Sequence, residues 1–527
     1  MDALQWLDVR EGRMVDESGR EITLRGIGLG NWLVQEGYMW GFGHGWDRPR
    51  RIRECVAQLA GRDYARSFWR RFFDTYITEE DIRRIKAEGF DSVRLPMDFS
   101  LLMEDDPAKT VFLEDGFELV DRCVRWCRKH GLYVILDLHC APGGQTGSNI
   151  DNSIDGANER PLPRMLLDPA RWNQTLDLWR EIARRYRDEP AVAMYDLLNE
   201  PLPNATEHFD ERLEDLRRFY RECVAAIRAI DERHLLSIEG ANWATVPATF
   251  PESYDPRMVL HIHMYGEIPD ERLSVRWAET RAKLRAPVLL GETGENRSEW
   301  CATALWQAWR AGFSTNFWCW KKAACHSPYT VVRPDGWEKI AGWTRGGPAP
   351  MPAEAQRIFD AFLDAIRIEN CRREPDMACA VQRRAPFMLR ATDFDPGADS
   401  SHAIALRENP WGYRAGTGME IVELDGATYR HGPGFDSGWE VFGLALHEDE
   451  WAEYTALETK AGSVVEVVGT GTADTLVAVS AQGRTETISF GSGEPSVLRF
   501  TMSEDGAATL RLECRKGTAT LREIRFG

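Results

Sequence analysis

With 527 residues, 43% of them hydrophobic and 28% charged, the chain is too long for one ordinary core and reads as a globular protein of two or three domains. A formal net charge of −18 would repel nucleic acid and anionic membrane surfaces, so neither is expected as a partner. No apolar run reaches membrane-spanning length, the opening MDALQWLDVREGRMV shows no basic segment followed by an apolar one, and the 11 cysteines lack metal-finger spacing, which together set the expectation of a cytoplasmic chain with reduced, buried thiols.

Short apolar runs recur along the chain, each followed by loop residues and then by an amphipathic stretch. The first is LRGIGLGNWL (24–33). An insertion rich in aromatics and glycine follows, QEGYMWGFGHGWDRPRR (35–51). Two readings of it stay open: a wall or lid over one end of a site, with Trp40 as a binding face, or a surface insertion packed on itself. TEEDIRRIKAEG (78–89) has helical periodicity, with Thr78 as N-cap, Asp81 in the first turn and Gly89 where the helix stops. The runs continue as SVRLPMD (92–98), YVILDLH (133–139), AVAMYDLLNE (191–200), HLLSIEGANW (234–243), MVLHIHMYG (258–266), PVLLGETGE (287–295) and TNFWCWKKA (315–323). Helical patterns such as FELVDRCVRWCRKHG (117–131, ending on Gly131), WNQTLDLWREIARRYRD (172–188) and FYRECVAAIRAID (219–231) lie between them. Eight alternations of this kind predict an α/β chain forming a (β/α)8 barrel. An open doubly wound sheet would more naturally show a glycine-rich phosphate turn opening a helix after the first strand, and GIGLGNW has no such helix behind it.

The helix PAEAQRIFDAFLDAIRI (352–368) would close the barrel, and the charged ENCRREPD (369–376) reads as the start of a linker. Beyond it the runs SVVEVVG, TLVAVSAQG, RTETISFG, SVLRFTMS, ATLRLECRKG and TATLREIRF are short, partly alternating and separated by turn residues. That is the pattern of an antiparallel β-sandwich. The expected organisation is a catalytic barrel over 1–370, a linker over 371–385 and a sandwich over 386–527.

On such a barrel, functional side chains gather at the C-terminal ends of the strands. The runs place Arg94 and Asp98, His139, Asn199 and Glu200, His261, His263 and Tyr265, Glu292, and Trp318 and Trp320 there. Glu200 and Glu292 end the fourth and seventh runs, across the mouth from each other. Paired carboxyls facing a cleft are the minimum equipment for glycosidic cleavage, one protonated to release the leaving oxygen and one ionised to attack. Arg94 would hold Glu292 ionised, and Tyr265 could hydrogen-bond the same carboxylate. His263 could stand beside Glu200, and Asn199 could bind a sugar hydroxyl. Trp318 or Trp320, with Trp243 and Trp40, would offer flat apolar faces to sugar rings. Pro201 would stop the fourth strand directly after Glu200.

In this order the motifs resemble glycoside hydrolase family 5, the cellulase-type retaining barrels, over about residues 7–368. LRGIGLGNWL is similar to that family's opening strand, SVRLPMD to its arginine strand, LLNEP to its acid/base strand, HIHMY to its His-x-Tyr strand, LLGETG to its nucleophile strand and FWCWK to its tryptophan strand. DLHCAPGGQTGSNIDNS is similar to the histidine strand and loop of the exo-β-1,3-glucanase branch. The resemblance implies Glu200 as acid/base and Glu292 as nucleophile. It implies Arg94, His139, Asn199, His263, Tyr265 and Trp318 as support around the −1 subsite. The chain departs from the family pattern at Asn31 and Cys140, and in the 35–60 and 321–337 stretches. The C-terminal region, from the Trp451-x-Glu453-Tyr454 segment onward, is similar to jelly-roll carbohydrate-binding modules; a purely structural sandwich is the other reading.

The function expected is retaining hydrolysis of β-linked gluco-oligosaccharides or β-glucosides by double displacement, without cofactor or metal. A β-mannosidase or another β-glycosidase of the same family is the alternative. From other classes, a metal-dependent barrel hydrolase would use His139, His261 and His263 with a carboxylate, and a non-catalytic carbohydrate-binding protein would need neither glutamate.

Overall fold

The computed structural model describes residues 4–148, 150–156, 160–323, 326–424, 432–493 and 495–527. Eight strands close into a barrel in sequence order. They are β1 (Arg25–Gly28), β2 (Ser92–Asp98), β3 (Tyr133–Cys140), β4 (Val192–Asp196), β5 (Leu235–Glu239), β6 (Met258–Met264), β7 (Val288–Gly294) and β8 (Ser314–Trp318). Neighbouring strands from β8 through β1 to β6 pair in parallel. Strands covered on both faces read as unbroken apolar runs, and every residue of β2, β4, β5, β6 and β7 is buried.

The helices between strands form for the reasons their sequences give. Thr78 and Asp81 make a capping box at the start of Glu79–Ala87: the Thr78 N–H and hydroxyl each donate to Asp81 Oδ2 at 2.9 Å. The Glu114–His130 helix buries Phe117, Val120, Cys123, Val124 and Cys127 along one face and ends on Gly131, at φ +68°. An N-terminal hairpin, Asp8–Arg10 with Arg13–Val15, closes the bottom of the barrel. Its Leu7 and Met14 join Leu24, Ile135, Met194, Leu235, Val259 and Leu289 in one apolar cluster.

The chain divides into two compact units. The first holds residues up to 263, 277–292 and 313–373; the second gathers 264–276, 293–312 and 374–527. Two barrel segments, including the helix Ser298–Arg310 after β7, therefore group with the C-terminal region. The stretch 371–385, expected as a linker, is folded. Arg372–Arg373 pairs with Tyr329–Thr330, Arg373 donates to both Glu88 carboxylate oxygens at 2.7 and 2.8 Å, and Pro375–Ala380 is a helix. Paired charge and strand bonds fix what composition alone marked as loose.

The second unit carries two antiparallel sheets, of six and five strands. All six short runs expected there are strands, from Val464–Gly471 to Thr518–Phe526. In Trp451–Thr459 the alternate residues Ala452, Tyr454 and Ala456 are buried, the period of a strand with one face inward.

The glycines of GIGLG serve packing. A Cβ on Gly28 would lie 2.6 Å from Trp318 Cε3, and one on Gly30 would lie 2.8 Å from Trp318 Cζ2. Only hydrogen leaves room for that indole. Gly28→Ala should displace Trp318 and cost roughly 1–3 kcal/mol of stability, read as a lowered denaturation midpoint. Unchanged stability with unchanged turnover would contradict this packing.

Candidate active site

Alternate residues of a strand share a face, and three strands carry the site in that register. Ile135, Asp137 and His139 rise along β3; Leu235, Ser237 and Glu239 along β5; Val259, His261 and His263 along β6. Their lowest members belong to the apolar cluster at the barrel bottom. The residues above them are polar, buried and bonded to one another.

Arg94 of β2 stands at the centre with none of its side chain exposed. Its Nε donates to Asp196 at 2.8 Å; its Nη2 donates to Asn199 Oδ1 at 2.9 Å and Glu239 Oε1 at 3.0 Å and lies 3.1 Å from Asp137 Oδ2. Its Nη1 donates to Glu292 Oε1. Burial works against its charge, but Asp137, Asp196, Glu292 and Glu239 outweigh it and hold the guanidinium more firmly protonated than usual.

The two catalytic candidates come together. A carboxylate oxygen of Glu200, one of Glu292 and a ring nitrogen of His263 all lie within 4.8 Å of one another. His263 Nδ1 is 2.7 Å from Glu200 Oε1 and 3.8 Å from Glu292 Oε2. Burial raises the Glu200 pKa; His263 opposes this, and the charges of Glu292 and Glu239 add to it. Burial alone would favour neutral His263, yet Glu239, Glu292 and Glu200 raise it well above the usual histidine range.

The backbone that presents Glu200 differs from expectation. β4 ends at Asp196, four residues early, so Pro201 does not terminate it. Leu197 and Asn199 still donate to Ser237 O and Leu138 O at 3.1 and 3.2 Å. Glu200 itself adopts φ +44° and Leu202 φ +54°, the left-handed region that β-carbons disfavour. Their peptide N–H groups are held: Glu200 N donates to Glu239 Oε2 at 2.6 Å and Leu202 N to Gln145 O at 3.2 Å.

His139 Nδ1 lies 2.8 Å from Asp137 Oδ2, and Asp137 raises its pKa to about 9 against the opposing effect of burial. Its Nε2 lies 3.3 Å from Asn199 Nδ2. Trp318 lies parallel to the His139 ring, with centroids 5.7 Å apart and planes at 2°. Its Nε1 donates to the Tyr38 hydroxyl at 3.0 Å, so the 35–51 insertion reaches the cluster through Tyr38.

The other expected aromatic faces lie elsewhere. Trp40 is fully buried among Trp69, Phe72, Trp337 and Phe362, and its Nε1 donates to Asn31 Oδ1 at 2.6 Å. Trp320 is fully buried against Tyr329 and donates to Asp81 Oδ1 at 3.0 Å. Neither offers a face to substrate; each fills a core beneath the rim. Trp243 is half-buried on the short Ala241–Ala244 turn after β5. Tyr265 stacks on Phe435, with ring centroids 6.0 Å apart. Asp98, noted at the strand tip, caps Phe99–Leu102 and binds Arg53 and Asn152.

Glu239, Asp137, Asp196, Gln145 and Tyr38 escaped the sequence reading. For Glu239 a signal existed: LLSIEG closes an apolar run with an acid just as LLNEP and LLGETG do. Gln145 Nε2 donates to His139 O and Asn199 O at 2.7 and 2.9 Å, a tie that only the folded chain shows.

Among the described residues, two groups bring metal-ligand atoms together, Glu239–His261–His263 and Glu200–His263–Glu292. Each leans on a carboxylate that already carries Arg94: on Glu239 Oε1 at 3.0 Å, and on Glu292 Oε1.

A family model described as Cellulase (glycosyl hydrolase family 5) matches residues 56–324, about half of the chain. The chain belongs to glycosyl hydrolase family 5. It is 33% identical over 242 residues to a protein named Beta-xylosidase from Phanerodontia chrysosporium, covering 46% of this chain and 48% of that one. To Endoglucanase C of Acetivibrio thermocellus it is 32% identical over 216 residues, 40% of this chain and 57% of the relative. To a probable glucan 1,3-beta-glucosidase A of Aspergillus fumigatus it is 30% identical over 214 residues, 40% and 47%. The chain thus spans about half the length of the curated relatives it matches.

The bond from His263 has a readable sign, because it stabilises ionised Glu200. His263→Ala should raise the Glu200 pKa and move the alkaline limb of kcat/KM to higher pH, with a rate loss of roughly ten- to a hundredfold. A limb that stays in place would show that His263 does not act on Glu200.

Proposed function

We propose that this chain is a retaining β-glycoside hydrolase acting on β-linked gluco-oligosaccharides or β-glucosides. The observation that carries the reading is the carboxylate pair, with oxygens of Glu200 and Glu292 within 4.8 Å of each other. Retaining enzymes hold their carboxyls about 5 Å apart, whereas inverting ones leave roughly 6.5–9.5 Å for a water between them.

In the first step Glu292 attacks the anomeric carbon while Glu200 gives its proton to the departing oxygen. Arg94 donates to Glu292 Oε1 and aims the carboxylate. Burial and the neighbouring Glu292 charge raise Glu200 and keep it protonated to higher pH than an exposed glutamate. In the second step Glu200 takes a proton from water, which displaces the glycosyl group from Glu292 and releases the sugar with its configuration kept. His263, against Glu200 and near Glu292, steadies the charge that passes between them.

The glucose-configured reading is supported by relatives named for glucans; one named for β-xylose makes the xyloside the informative competitor. A panel of aryl β-glucosides, β-mannosides and β-xylosides should show the glucoside cleaved with the highest kcat/KM. Glu292→Ala should lower kcat by about 10⁴-fold or more while the protein stays folded, and NMR of the first product should show the β-anomer. An α-anomer first, or a variant with near-parental rates, would defeat the double-displacement reading.

A further inference from the structure

A third carboxylate stands under the pair, and the two steps above do not use it. We propose that Glu239 is a positioning residue for the acid step: it fixes the strained backbone from which Glu200 is presented and supplies the negative charge against which Glu200 and His263 are poised. The inference rests on the glycosidase reading of this site.

The geometry divides the carboxylate into two tasks. Glu239 Oε2 accepts the Glu200 peptide N–H at 2.6 Å. Glu200 precedes Pro201 and sits at φ +44°. A residue before proline is ordinarily extended, and a left-handed non-glycine persists only where its surroundings over-determine it. A charge-assisted hydrogen bond to that N–H is such a determinant. Glu239 Oε1 accepts from Arg94 Nη2 at 3.0 Å and lies 3.4 Å from His263 Nε2 and 3.5 Å from His261 Nε2. One fully buried side chain thereby touches the peptide of the acid, the imidazole on the acid's carboxyl and the guanidinium on the nucleophile. Its own main chain is anchored, since the Tyr220 hydroxyl donates to Glu239 O at 2.8 Å.

Charged groups face Glu239 from several elements. Arg94 comes from β2, His261 and His263 from β6, and Glu200 from beyond β4; Asp137 of β3, Asp196 of β4 and Glu292 of β7 stand behind Arg94. Removing one negative charge from this set makes every acid in it ionise at lower pH. The amide of Glu239→Gln keeps the shape and an acceptor for Glu200 N but loses the charge. The methyl of Glu239→Ala loses both.

The test compares kcat/KM for two β-glycosides of the same sugar, one with a phenyl and one with a 2,4-dinitrophenyl leaving group. Phenolate needs a proton to leave; dinitrophenolate does not. A residue that aims the acid matters for the first and little for the second. Glu239→Ala should lose about a hundredfold on the phenyl glycoside and at least about tenfold less on the dinitrophenyl one. Glu239→Gln should recover most of the phenyl rate, with the alkaline limb of its pH profile moved down by about half a unit or more. Equal losses on both substrates, or a Glu239→Gln profile that superimposes on the parent's, would overturn the role. If Glu239→Ala does not fold, the Glu239→Gln profile decides alone. A parent protein that cleaves neither glycoside would sink the glycosidase reading itself, whereas an active parent with equal losses would sink only the role of Glu239.

Discussion

The arginine at the centre of the barrel is the constraint on which the rest depends. A guanidinium with no exposed surface is tolerated only if its donors are taken and its charge is answered. Here four carboxylates, from β3, β4, β5 and β7, and the amide of Asn199 do so. Each partner is in turn committed. Asp137 holds His139, Asp196 lies 3.2 Å from His261, and Glu239 holds the peptide of Glu200. Orientation at the rim is inherited from this buried network, because no member can turn without stranding another.

The barrel separates stability from chemistry by height. Ile135, Met194, Leu235, Val259 and Leu289, from the successive strands β3 to β7, seal the bottom with the N-terminal hairpin. One register step up, Asp137, Ser237 and His261 replace them; one step further stand His139, Glu239 and His263. Gly291 shows how tightly the middle layer is filled, since a Cβ there would lie 1.6 Å from His261 Nε2. The polar column survives burial because its members pair with one another, and that pairing shifts their protonation. Burial, with the charges of Glu292 and Glu239 added, pushes Glu200 up, and the surrounding carboxylates raise His263 against its own burial.

Much of this could be read from the chain. The eight apolar runs were all barrel strands, because a parallel strand covered on both faces reads as a mostly apolar run, broken here only where the polar site begins. Acids closing two of those runs marked Glu200 and Glu292, since polar residues at a buried strand's end are rarely accidental. The tryptophans were harder. Trp40, Trp318 and Trp320 look alike in sequence, yet Trp40 joins an aromatic core, Trp320 binds Asp81, and Trp318 lies over His139. A flat apolar side chain serves a core and a sugar equally well, so the residue type does not discriminate.

The sequence by itself determined the periodicity, and through it the barrel and the order of its strands. Only the tertiary structure decided how the side chains at its mouth are wired. It ended β4 at Asp196 and turned Glu200 through a left-handed backbone. It brought Tyr38 to Trp318 across 280 residues and Glu239 to the acid across 39. Periodicity is a local property, fixed by each strand's own pleat and burial. Hydrogen-bond partnership depends on which strands become neighbours when the ring closes, and no stretch of sequence contains that information alone.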